Sequence, residues 1–152
     1  NCPIVLMHMK GIPLNMQNNP QYNDVMSEIV AFFEKKLTIA QNLGVKTDKI
    51  ILDPGIGFGK RIEDNDKILK NIYQIKQLGH PVLIGLSRKS FLSIDHDHPK
   101  SRLSATLGAT VIAIQQGADI LRVHDIEATY KLVSIVNRIA MQKSNKSESY
   151  YN

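Results

Sequence analysis

The chain has 152 residues, 43% of them hydrophobic and 22% charged, the balance of one soluble globular domain. No apolar run approaches the ~18 residues of a membrane span; Lys10 and Gly11 end the first apolar stretch too early for a secretory leader; and the single cysteine, Cys2, excludes an internal disulfide and suits a reducing cytoplasm. A net charge of +5 and a pI of about 9.3 suit an anionic partner, nucleic acid or a phosphorylated small molecule, without choosing between them.

Pro3 to Met9 (PIVLMHM) is nearly continuous in apolar residues, the pattern of a strand buried on both faces in a parallel sheet. Tyr22 to Leu43 then places Val25, Ile29, Phe32, Phe33, Leu37 and Ala40 at helical spacing, with Asn23 or Asp24 as cap and Gly44 beyond its end. Lys49 to Asp53 (KIILD) is the second strand. Ile62 to Leu78 is the second helix, carrying Ile68, Leu69, Ile72, Ile75 and Leu78 and stopping at Gly79. Pro81 to Leu86 (PVLIGL) is the third strand, and Ser101 to Gln116, rich in small residues, the third helix. Asp119 to His124 (DILRVH) is the fourth strand. Ile126 to Gln142, with Tyr130, Val133, Val136 and Ile139, is the last helix and closes the folded part at residue 142. The polar tail, Lys143 to Asn152, is expected to fray.

The order β-α-β-α-β-α-β-α implies a parallel sheet with right-handed crossovers. An eight-unit barrel needs about 250 residues, so four units predict the C-terminal half of a TIM (β/α)8 barrel, cut internally before Asn1. A small doubly wound sheet competes. It calls for a glycine-rich phosphate turn after its first strand, where Lys10-Gly11-Ile12-Pro13 stands instead. The chemically unusual residues follow strand ends: Met7-His8-Met9, Asp53-Pro54-Gly55, Ser87-Arg88-Lys89-Ser90 and Arg122-His124-Asp125. A barrel gathers such ends at one mouth.

Leu52 to Lys60 (LDPGIGFGK) has neither dinucleotide nor P-loop spacing. It is a strand ending in a carboxylate, followed by a glycine loop that can approach a flat ligand closely, or simply a capped strand-to-helix turn. In Ser87 to Phe91 (SRKSF), two cations between two hydroxyls suit an anion; taken alone, the pentapeptide fits a solvated charged turn better, the usual fate of an Arg-Lys pair. Arg122 and His124, at i and i+2, share one strand face, beside the place where barrels often bind phosphate; the plainer alternative is a structural histidine. His96-Asp97-His98 resembles a metal triplet but has no further ligand at metal-like spacing. His80 carries no signal.

Taken together and in this order, LMHM, LDPGIGFGK, GLSRKSF and RVHD closely resemble dihydropteroate synthase, over nearly the whole chain up to about residue 138. The resemblance implies a (β/α)8 barrel, a homodimer as the full enzyme, Mg2+ as cofactor and cytoplasmic location; the family is the target of sulfonamides, which imitate p-aminobenzoate. It implies condensation of a 6-hydroxymethyl-7,8-dihydropterin diphosphate with p-aminobenzoate to give 7,8-dihydropteroate and pyrophosphate. By resemblance Asp53 takes the 2-amino edge of the pterin and Lys89 its carbonyl side, as a buried Asp-Lys pair. Met7, Gly57, Phe58 and Gly85 shape the slot, and Arg122 lies on the pterin face. Arg122 and His124 grip the pyrophosphate, while Ser90, with Phe58, takes p-aminobenzoate. Lys89, Arg122 and His124 form the catalytic set, and no metal ligand is assigned within this chain.

The chain departs from the family at Ser93, where glycine is common, and in the loop Ile94 to Lys100. The family's first four units, with two mobile loops, a Mg2+-associated Asn and further pterin ligands, lie outside it. Without them the isolated chain is expected to be inactive. Two other functions compete. A methyltetrahydrofolate-dependent methyltransferase barrel shares the fold but needs neither SRKSF nor the Arg-x-His pair. A basic binding or assembly domain would show salt-dependent DNA binding; the sequence has no nucleic-acid motif and no interleaved exposed aromatics, so neither nucleic acid nor a membrane is expected as partner.

Overall fold

The computed structural model describes residues 2–94 and 98–142. His96 and Asp97 of the triplet, and the tail 143–152, lie outside the described residues. The elements alternate as β1 (Ile4–Met7), α1 (Val25–Asn42), β2 (Ile50–Asp53), α2 (Ile62–Lys70), α3 (Ile72–Lys76), β3 (Leu83–Ile84), α4 (Leu103–Gln115), β4 (Ile120–Leu121) and α5 (Ile126–Ala140). Three 3-10 turns, Thr47–Lys49, Ser90–Leu92 and Pro99–Arg102, join them.

All strand pairs are parallel. Ile4 to Met7 run beside Ile50 to Asp53, and Leu83 and Ile84 beside Ile120 and Leu121. A single bridge from Leu52 to Val82 joins the two pairs, so the strands lie in chain order, as consecutive units of a barrel do. The core forms where α1, α2 and α3 cover this sheet. Ile29 and Phe33 of α1, Ile68, Ile72 and Ile75 from α2 and α3, and Leu52, Val82 and Ile84 of the sheet are fully buried.

Local chemistry explains the boundaries. The side chain of Asp24 accepts from the Ser27 amide, satisfying a free donor of the first turn of α1. The continuous helix expected over Ile62 to Leu78 is broken at Asn71, whose side-chain amide donates to the Lys67 carbonyl at 2.7 Å and competes with the main-chain ladder. The third helix begins as a 3-10 turn because Pro99 fixes φ and lacks an N–H, while His98 Nδ1 accepts from the Lys100 amide at 3.2 Å. His98 thus serves as a helix cap.

The third and fourth strands are shorter than expected. Gly85 offers no side chain to extend β3, and β4 has a partner on one side only. Those outer positions also modify the expectation of strands buried on both faces. β2 and β3 are enclosed, but Val5 of β1 is 45% exposed and β4 is only half-buried. Likewise α5 keeps Ile126, Tyr130 and Ile139 exposed.

Candidate active site

All four strands deliver their chemically distinctive residues to one end of the sheet. Asp53 closes β2 and is buried, with 1% of its surface exposed. Its Oδ1 accepts from the Gly55 amide at 2.7 Å and its Oδ2 from the Arg122 guanidinium at 3.0 Å. Gly55 has φ of +67°, and a Cβ there would stand 1.9 Å from the His8 carbonyl oxygen. Only glycine lets this loop lie backbone-to-backbone against the end of β1.

The rest of the glycine loop is held from below. The Gly57 amide donates to the buried Asn65 side chain at 2.7 Å, and Tyr22 Oη donates to the Gly59 carbonyl at 2.7 Å. Lys60, 5% exposed, donates to the carbonyls of Gly55 at 2.9 Å and Phe58 at 3.1 Å, and meets His8 Nδ1 at 3.0 Å. Burial, reinforced by the charge of Lys89 and opposed by Asp53 and Asp64, lowers the Lys60 ammonium to about 7. Burial first, then the neighbouring Lys60, lowers the His8 imidazole to about 4, so His8 is neutral and can accept.

After β3, Lys89 turns back over the loop. It donates to the Ile56 carbonyl, and its ammonium lies 4.4 Å from the centre of the Phe58 ring. Burial, with the charge of Arg122 and against that of Asp53, lowers it to about 8. The direct Asp53–Lys89 pair expected from the sequence is not the contact formed. Asp53 pairs with Arg122, while the Lys89 ammonium is bonded to the Ile56 carbonyl and feels Asp53 through space.

SRKSF also divides its labour differently. The Arg88 guanidinium is clasped by Asp125, its amide donates to Thr106 Oγ1 at 3.1 Å, and its backbone stands at φ of +56°. Arg88 therefore ties the β3 loop to the start of α5 and leaves anion binding to others. Ser87, buried, accepts from the His124 amide at 3.2 Å.

Gly85, Ser87, Lys89, Arg122 and His124 line one cavity of about 120 Å³. Gly57 and Ser90 share a second cleft, of about 250 Å³, with Lys60 and Phe91. Lys89, on the rim of the first, lies against Gly57 of the second. Met7 stands opposite Asp53 in the strand register, at the open edge of the sheet. The mouth thus combines one buried carboxylate, the cations of Lys89 and Arg122, an imidazole and an aromatic ring. Such a set can bind a flat ligand with donors along one edge and an anion beyond it. Lys60, Asn65, Tyr22 and the Arg88–Asp125 clasp were not foreseen as site supports. Tyr22 with Gly59, Lys60 with His8, and Arg88 with Asp125 depend on partners distant in sequence, and only the placement of Lys60 directly after the glycine loop hinted at a role.

The family model described as pterin binding enzyme matches residues 1–124. A dihydropteroate synthase of Synechocystis is 42% identical over 139 residues, covering 90% of this chain and 48% of its own. A crystal structure of dihydropteroate synthase from Stenotrophomonas maltophilia with active site-bound imidazole superposes with a TM-score of 0.91 at 38% identity, covering 93% of this chain and 54% of that one. The Xanthomonas albilineans enzyme in complex with 7,8-dihydropteroate gives 0.85 at 34%, covering 93% and 52%. The chain spans about half the length of these relatives, and its four βα units match the C-terminal half of their barrel. With the matching model spanning residues 1–124, the chain belongs to the family of pterin binding enzymes.

Proposed function

We propose that this chain forms the C-terminal half of a dihydropteroate synthase active site, joining a dihydropterin diphosphate to p-aminobenzoate with release of pyrophosphate. The observation that carries the proposal is the buried Asp53 carboxylate in the same mouth as Lys89, Arg122 and His124. A carboxylate can accept two N–H bonds from a pterin edge. Lys89, over Phe58, is in reach of the carbonyl side of the ring. Arg122 and His124 are left to the diphosphate, whose leaving oxygen gains charge as the amine attacks the methylene carbon. Charge-assisted bonds to that oxygen strengthen toward the transition state, and this is the catalytic contribution assigned to the pair. Met7, Gly57 and Gly85 bound the slot, while Ser90 and Phe58 receive p-aminobenzoate. A methyl-transferring pterin barrel would have no use for the Arg122–His124 pair.

Mg2+ belongs to the proposal as a companion of the diphosphate. Among the described residues no three His, Cys, Asp or Glu side chains converge. The mouth supplies cations and one carboxylate already engaged at both oxygens, a poor donor set for an ion that prefers several hard oxygens. No step is routed through it. A homodimer completes the reading, supported by the exposed apolar residues Ile126, Tyr130 and Ile139 of α5, and a single cysteine suits a cytoplasmic location. No described helix is long and apolar enough to cross a membrane.

Calorimetric titration of the full-length protein with the dihydropterin diphosphate tests the proposal. Tight binding that is lost in Asp53→Ala supports it, and equal binding by both proteins refutes it.

A further inference from the structure

The glycine loop between β2 and α2 is gripped at several points, and the grips are not equivalent. Asn65 holds the amide of Gly57, Gln17 donates to its carbonyl at 2.8 Å, and Tyr22 holds the carbonyl of Gly59. Asp53 and the Gly55 amide secure the start. The carbonyl of Phe58 faces inward, and its donor is Lys60.

We infer that Lys60 is a positioning residue: by tying the carbonyls of Gly55 and Phe58 to the ring of His8 at the end of β1, it sets where the Phe58 ring, and Lys89 above it, stand in the mouth. The acceptors of this buried ammonium are all neutral: the Gly55 and Phe58 carbonyls at 2.9 and 3.1 Å, His8 Nδ1 at 3.0 Å and, more weakly, the His8 carbonyl at 3.5 Å. The three short contacts match the three donors of an ammonium group. Neutral acceptors compensate a buried charge less well than a carboxylate does, so the fold keeps an unfavourable lysine where an apolar side chain would pack more cheaply. What the lysine provides in return is geometry, joining the backbone of one strand end to that of the next loop. Because Asp53 is anchored separately, loss of the clamp releases the Phe58 end of the loop and spares the Asp53 end. The substrate that packs on Phe58 is therefore the one affected. Naming it as p-aminobenzoate rests on the function proposed above.

The test uses the full-length protein with Lys60→Met, Lys60→Arg and, as control, Lys131→Met, at an exposed lysine of α5 that pairs with Glu127 away from the mouth. Two readouts are taken: amide hydrogen exchange of residues 55–60, and steady-state kinetics with p-aminobenzoate. The expected result for Lys60→Met is faster exchange confined to residues 55–60, with α1 and α2 still protected. The KM for p-aminobenzoate should rise about tenfold while kcat changes less than about threefold, with partial recovery in Lys60→Arg and no KM change in Lys131→Met. A merely structural lysine would lower the amount of folded enzyme, and so the apparent kcat, at unchanged KM. Unchanged exchange at 55–60, or a uniform rise across the protein with unchanged KM, overturns the inference. If the wild-type protein makes no dihydropteroate, the function fails while the exchange data still decide the clamp. Should Lys60→Met not fold, Lys60→Gln, which keeps a single amide donor, is judged by the same two readouts.

Discussion

Arg122, just beyond β4, crosses above β3 to reach Asp53 at the end of β2, closing an ion pair at 3.0 Å. The crossing is possible because position 85, between them, is glycine; a Cβ there would stand 3.1 Å from the guanidinium. The pair is lopsided, Asp53 being 1% and the Arg122 side chain 53% exposed. The cation is half in water while the carboxylate is buried, so Arg122 can give way only where the N–H groups of a ligand edge take its place on Asp53.

Asp53→Ala should therefore fold, because the guanidinium it abandons is already half in water. Its damage should fall on binding. Hydrogen bonds to a charged group are worth about 1.5–3 kcal/mol each, so losing two should weaken the pterin ring at least about a hundredfold by calorimetry. Gly85→Val should weaken it less, by pushing Arg122 aside. Wild-type affinity in Asp53→Ala would remove this residue from the slot.

His124→Ala should lower kcat more than it lowers affinity for a pterin lacking the diphosphate, since its bond to the leaving oxygen strengthens as charge develops. Arg122→Ala should damage both quantities, because the guanidinium also borders the ring site over Gly85. Equal losses with and without the diphosphate for His124→Ala would leave this residue only the backbone contact of its amide with Ser87.

His8 makes stability depend on acid. Its imidazole is lowered from 6.5 to about 4 by burial and by Lys60. Between those values the unfolded chain carries a proton on His8 that the folded chain excludes, so stability present above pH 6.5 is lost as pH falls toward 4. The loss is on the order of 3 kcal/mol. His8→Asn keeps an acceptor for Lys60 but cannot titrate. Its thermal midpoint should fall less than that of the wild type between pH 7 and 4.5; parallel curves would show that His8 does not set the acid limb.

The 152-residue chain alone should self-associate, because β1 and β4 each present an unpaired edge and Val5 lies exposed. It should also show no synthase activity. Sedimentation at several concentrations checks the first statement and a coupled pyrophosphate assay the second; an active monomer contradicts both.

The sheet order and the mouth were legible in the sequence because apolar runs and glycine stops recur with each βα unit, and because chemistry-bearing residues follow every strand. The break at Asn71 was not legible. The apolar rhythm of Ile68, Ile72 and Ile75 continues through it, and only a side-chain bond to Lys67 interrupts the helix. Nor was the partner of Asp53. Lys89 and Arg122 both lie at strand ends near it, and the room that Gly85 leaves for the Arg122 guanidinium is a feature of packing between strands that the sequence does not display. The exposure of α5 follows from what covers the helix, which its own periodicity cannot reveal.

The most direct test of the central claim is product formation by the full-length protein, given dihydropterin diphosphate, p-aminobenzoate and Mg2+. The account predicts dihydropteroate and pyrophosphate in equal amounts, with both falling together in Lys89→Ala. A folded protein that binds the pterin diphosphate and yet releases no pyrophosphate when the amine is added would contradict it.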